Sequence, residues 1–118
     1  MMSKRIEKVI EEGVFVLDGA MGTAVQAMDT DIERDYLGRE NCTDILTKSR
    51  PDWIRAIHTS FLDAGVDAIE TNTFGANRLV LSEFDEEAAT WAYDLNVQSA
   101  QIAREVCDAA EGYRFVLG

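Results

Sequence analysis

Apolar positions along this chain follow two rhythms. Between Lys4 and Glu12, Ile6, Val9 and Ile10 share one helical face, and Gly13 supplies a stop. Val14-Phe15-Val16-Leu17 is then a continuous apolar run, too short for a helix and suited to a strand buried on both faces. Residues 29–41 are polar and irregular and predict a loop. Ser49-Arg50-Pro51-Asp52 carries helix-start signals: Ser49 as cap, Pro51 in the first turn, Asp52 at the positive end of the dipole. Ile54, Ile57, Phe61 and Leu62 form the stripe that follows, with Arg55 and Asp63 outside it, and Gly65 ends the helix.

Val66, Ala68 and Ile69 begin a second strand, which runs into Glu70-Thr71-Asn72-Thr73. A long helix is predicted from about Asp85 to Ala110. Ala88, Trp91, Ala92, Leu95, Ile102, Ala103 and Val106 take one face, and Gln98, Gln101, Glu105 and Asp108 the other. The helical stripes are expected to face the sheet through Ile57, Phe61, Leu95 and Ile102. Gly112 breaks the helix, and Arg114-Phe115-Val116-Leu117-Gly118 reads as a third buried strand. The order β-α-β-α-β, behind a leading helix at about 4–12, implies an α/β fold with a parallel sheet and right-handed crossovers. Three strands do not close a barrel; roughly eight such units would. The pattern is expected to be an incomplete part of a larger fold.

Composition narrows the function classes. The formal net charge of −11 repels phosphate backbones and argues against nucleic acid. No apolar run is long enough to span a bilayer, and Met1-Met2-Ser3-Lys4-Arg5 leads into alternating charge instead of a signal core. The acidic runs at 29–35 and 83–87 read as a solvated loop or helix start. Cys42 and Cys107 match no Cys-x-x-Cys pattern, and His58 is the one histidine, so no closed zinc site is expected. A reduced, cytoplasmic setting follows.

Candidate chemistry sits where buried strands emerge, because ligands of α/β proteins meet those ends. The two segments are Asp18-Gly19-Ala20-Met21-Gly22-Thr23 and Glu70-Thr71-Asn72-Thr73-Phe74-Gly75-Ala76-Asn77. Asp18 follows four apolar residues, so it either caps a turn or faces a ligand such as an ammonium group. Gly19 and Gly22 permit tight turns and close approach of backbone to a ligand. Asn72 and Thr73 either bind substrate or satisfy a turn. The spacing Gly-x-x-Gly and the lack of a Gly-Lys-Ser/Thr pattern speak against a small nucleotide-binding domain. His58 and Trp91 read as packing residues.

Together these segments resemble the homocysteine S-methyltransferase family. Leu17-Asp18-Gly19-Ala20-Met21-Gly22-Thr23 is similar to its opening strand and loop, and Glu70-Thr71-Asn72-Thr73-Phe74-Gly75-Ala76 to its second. Cys42-Thr43-Asp44-Ile45-Leu46 and the run from Ser49 to His58 resemble the joining segment and first helix. The resemblance covers about Val14 to Gly118. It implies that residues 1–118 are the N-terminal part of a (β/α)8 barrel in which zinc binds the homocysteine thiol, and the thiolate attacks a methyl donor. It places Asp18 on the homocysteine amino group, Gly19 against the amino acid, and Asn72 and Thr73 at the pocket mouth. The family's zinc ligands are cysteines on later strands, so Cys42 and Cys107 are not assigned to metal. Cobalamin and methylfolate enter through other modules in some members. The chain alone is expected not to hold catalytic zinc or transfer a methyl group. The competing expectation is a non-catalytic remnant that meets the remaining barrel segment, or itself, through exposed strand edges.

Overall fold

The structure, a computed structural model, describes residues 5–118. Lys4, the expected start of the leading helix, lies outside them; helix α1 spans Ile6–Glu12. Its apolar face is not buried, so it adds nothing to the core. Helix α4, Pro51–Asp63, forms where its signals predict, with Pro51 in the first turn. Gly65 takes φ +101° beyond the last turn. Gly65 N–H donates to Leu62 O at 3.0 Å and Val66 N–H to Phe61 O at 3.4 Å, the paired bonds that close a helix at glycine. Ser49 is not the cap of α4. It closes the preceding helix α3, Leu46–Ser49, and its hydroxyl donates back to Asp35 O and Ile45 O.

Strands β1, Ala68–Glu70, and β2, Phe115–Leu117, pair in parallel with Ala68 opposite Phe115. The expected first strand is reduced to a single parallel bridge between Leu17 and Ala68. Asp67 N–H donates to Val16 O at 2.8 Å, and Asp18 N–H to Ala68 O at 3.1 Å. The observed class is α/β, with two parallel strands and seven helices among the described residues. The expected burial of the first and third strands is corrected: Val14 is 88% exposed, Val16 47% and Leu17 44%, and β2 is half-buried. A strand buried on both faces needs cover on both. Here α4 packs on β1, and the last helix, α7 (Ala92–Ala109), on β2.

The expected long helix is split. Helix α6, Glu86–Thr90, and helix α7 are separated at Trp91. The Thr90 hydroxyl donates back to Glu87 O at 2.6 Å, a bond that competes with helix continuation. Trp91 is half-buried against the core, and its ring also carries Arg39 at 4.8 Å and Lys48 at 5.0 Å. It is a cation platform as well as a packing residue. Four short pieces were not predicted: α2 (Met21–Gln26), a 3-10 turn (Thr43–Ile45), α3 and α5 (Arg78–Ser82).

The stripes are buried, but mostly against each other. Ile57 and Ile102 meet Val25, Leu46 and Ile54, with no strand residue in that cluster. Leu95 packs with Ile45, Leu81 and Ala88. Phe61 is half-buried and reaches the cluster around Ile69 on the sheet. Arg55 and Glu105 face water as expected, joined at 2.7 Å across α4 and α7.

Of the acidic runs, 83–87 does start a helix: Asp85 accepts from Ala88 N–H at 2.8 Å and pairs with Arg39 at 2.7 Å. The run at 29–35 is not wholly solvated. Asp35 is 0% exposed, accepts from Asp31 N–H and holds the Arg34 guanidinium, which keeps its carboxyl below the usual range. No helix among the described residues is long and apolar enough to cross a membrane.

Candidate functional site

The bridge from Leu17 to Ala68 sets the ends of the first segment and β1 side by side. Asp18, Gly19, Glu70, Thr71, Asn72 and Thr73, with Ala20, Met21 and Phe74, line a cavity of about 160 Å³ there. All four residues singled out from the sequence therefore meet at one place. The volume is below the ~300 Å³ of a drug-sized pocket, so it suits a small ligand. Among the described residues, two carboxylates and no basic residue line it.

Asp18 Oδ1 accepts from Glu70 N–H at 3.0 Å, and its other oxygen bonds no other described residue. Burial pushes the Asp18 carboxyl above its ordinary value; the Glu70 N–H opposes this, and the Glu70 charge adds to it. Both readings of Asp18 therefore find a basis: one oxygen ties two strand ends, and the other stays available. A Cβ at Gly19 or Gly22 would meet nothing within 4 Å. The left-handed residue in this turn is Ala20, at φ 36°, which a glycine would hold with less strain.

Asn72 is buried, and its Nδ2 donates to Thr43 O at 3.0 Å and to Thr47 Oγ1 at 3.2 Å. Thr73 Oγ1 lies 2.7 Å from Thr71 Oγ1. A second cavity of about 440 Å³ adjoins the first through Met21, Asn72 and Phe74, and adds Cys42, Asp44, Gly75 and Phe84. Asp44 was not singled out from the sequence. Its Oδ1 accepts from Gly75 N–H at 3.1 Å, and burial raises its carboxyl. A Cβ at Gly75 would stand 2.8 Å from Asp44 Oδ2 and 3.2 Å from Val80 Cγ1. Gly75→Ala is expected to break this bond and destabilise the chain by about 1–3 kcal/mol. An unchanged urea midpoint would show that the loop gives way freely.

The described residues do not fit a zinc site. Cys42 and Cys107 lie in separate core clusters, and burial raises both thiols. Among the described residues no group of three His, Cys, Asp or Glu side chains is placed to hold a metal. His58 is buried with both ring nitrogens unpartnered among the described residues, and it lines neither cavity.

The family model described as homocysteine S-methyltransferase matches residues 15–118. The chain is 42% identical over 113 residues to the methionine synthase of Mycobacterium tuberculosis, covering 93% of this chain and 9% of that protein. It is 39% identical over 114 residues to the methionine synthase of Mycobacterium leprae, covering 94% and 9%. It thus spans about a tenth of the length of these relatives. With a family match over most of its length, and with the matched segments meeting at one cavity, the chain belongs to the homocysteine S-methyltransferase family.

Proposed function

We propose that this chain is the opening part, residues 1–118, of a homocysteine-binding (β/α)8 barrel. Its strand-end cavity takes the amino-acid end of homocysteine for methyl transfer to the thiol, which gives methionine. The observation that carries this reading is the meeting of Asp18, Gly19, Asn72 and Thr73 around one small cavity that the described residues line with carboxylates and no basic side chain. Asp18 holds the substrate ammonium, the open space at Gly19 admits the backbone of the amino acid, and Asn72 and Thr73 form the mouth. The parallel order of the Leu17 segment, β1 and β2 suits successive barrel strands.

When bound in the complete domain, zinc would supply thiolate at neutral pH. The described residues offer no ligand set for it, and they act on the amino-acid end only. Cobalamin and methylfolate belong to the same reading as contributions of other modules. By itself the chain binds without transferring methyl groups. The exposed Val14–Leu17 segment favours a second reading, a non-catalytic fragment that docks a partner strand.

A charge-assisted hydrogen bond contributes about 1.5–3 kcal/mol. Asp18→Asn is therefore expected to weaken L-homocysteine binding about tenfold or more in calorimetry, with the fold retained by circular dichroism. Equal affinity in the two proteins would remove Asp18 from the site.

A further inference from the structure

The Asn72 side chain makes its hydrogen bonds as a donor only. Thr43 O, which accepts from Nδ2 at 3.0 Å, is a carbonyl and has no hydrogen to give. The amide therefore has its nitrogen towards the joining segment and its oxygen away from it; the reversed rotamer would set oxygen against oxygen. The second Nδ2 hydrogen goes to Thr47 Oγ1. Thr47 Oγ1 lies 3.0 Å from Ser99 Oγ, and Ser99 Oγ donates to Asn72 O at 3.4 Å. Since Thr47 accepts from Asn72 and Ser99 donates to Asn72, the remaining hydrogen runs from Thr47 to Ser99. The result is a closed ring that begins on the Asn72 side chain and ends on its backbone carbonyl. Thr47 and Ser99 are 0% exposed. They stand on α3 and α7, so two helices grip one residue at the cavity. Asn72 Oδ1 has no hydrogen-bond partner among the described residues, and it is not among the sealed, unpartnered atoms.

We propose that Thr47 and Ser99 are positioning residues: through this ring they hold Asn72 Oδ1 as a fixed acceptor for the ammonium of an amino acid bound beside Asp18. The inference rests on the homocysteine reading of the cavity. A ring that only satisfied buried polar groups would affect stability and would treat all ligands alike. A ring that aims an acceptor distinguishes ligands with an ammonium from those without.

The test compares L-homocysteine with 4-sulfanylbutanoate, which keeps the thiol and carboxylate and lacks the amino group. Binding of each is measured by calorimetry to the full chain and to Thr47→Val, Ser99→Ala and Thr47→Ser. Thr47→Val and Ser99→Ala are expected to weaken L-homocysteine about five- to tenfold and 4-sulfanylbutanoate less than about twofold. Thr47→Ser, which keeps the hydroxyl, should bind both as the natural chain does. Equal losses for both ligands, or no loss, overturn the inference and leave the proposed function standing. No binding of L-homocysteine by the natural chain overturns both. Should Thr47→Val fail to fold, Ser99→Ala and the ligand-free natural chain still decide. Slow exchange of the Asn72 Nδ2 hydrogens in nuclear magnetic resonance supports the ring, and exchange at the rate of an exposed amide overturns it.

Discussion

Leu95→Ala is expected to destabilise the chain by about 2–5 kcal/mol, the range for truncating a fully enclosed leucine. Leu95 is 1% exposed and lies where α7 meets the joining segment, α5 and α6, against Ile45, Leu81 and Ala88. Its removal leaves a void among neighbours on three other elements, and their different directions limit how far they can close in. Cys42 and Ala76 belong to the same cluster, and Cys42 lines the larger cavity, so the loss should also loosen the cavity wall. The control is Val97→Ala on the same helix. Val97 is 39% exposed, and its truncation should stay within about 0.5 kcal/mol. Urea unfolding separates the two: the midpoint falls for Leu95→Ala with its slope unchanged. Similar midpoints for both variants would show that the stripe on α7 is misassigned.

That stripe was legible because α7 is long enough to repeat. Eighteen residues give several turns over which Leu95, Ile102 and Ala103 recur. Helix α4 was legible for the same reason, and Pro51 and Gly65 mark its ends by fixed backbone preferences. The five- and six-residue helices α5 and α2 are shorter than two turns, so no period can show in them. Leu79-Val80-Leu81 in α5 reads as an apolar run in either state. The Val14–Leu17 run carried a different ambiguity. Its composition fits a strand covered on both faces, but cover is a property of neighbours, and the described residues do not supply both.

The site was legible in part for a related reason. Asp18 and Asn72 stand out because polar residues after apolar runs mark strand ends. The ring that holds Asn72 did not stand out, because Thr47 and Ser99 lie 25 and 27 positions away on helices where a hydroxyl looks ordinary. Asp35 failed in the opposite sense. Its neighbours Asp31, Glu33 and Arg34 are exposed, so the local charge pattern reads as solvated although Asp35 itself is sealed. Periodicity reports which face of one element is buried; it does not report pairing between elements.

Stability is expected to fall by about 3 kcal/mol between pH 6.5 and pH 4 through His58 alone. The imidazole is 0% exposed, and both ring nitrogens lack partners among the described residues. Burial lowers its pKa from 6.5 to about 4, with no neighbouring charge contributing. The folded state therefore resists a proton that the unfolded chain takes up. Well above pH 6.5 neither state is protonated and the ring adds no pH dependence to stability. As pH falls below 6.5 the unfolded chain is stabilised, and the loss continues until the folded imidazole is itself protonated near pH 4. A displacement of about 2.5 units at 1.36 kcal/mol each gives the stated size. The carboxyls of Asp18 and Asp44, raised by burial, act in the opposite direction as they protonate, and those of Asp35 and Asp85, which are lowered, act below the ordinary carboxylate range. Comparison with His58→Leu cancels these contributions. The variant should lose the steep fall between pH 6.5 and 4, and should be about 1 kcal/mol or more stabler at pH 7, since it removes a buried donor and acceptor that lack partners. Urea midpoints measured at intervals from pH 8 to pH 4 carry the comparison. Parallel curves for the two proteins would mean that His58 is protonated as readily folded as unfolded, and hence that water or a polar partner reaches the ring.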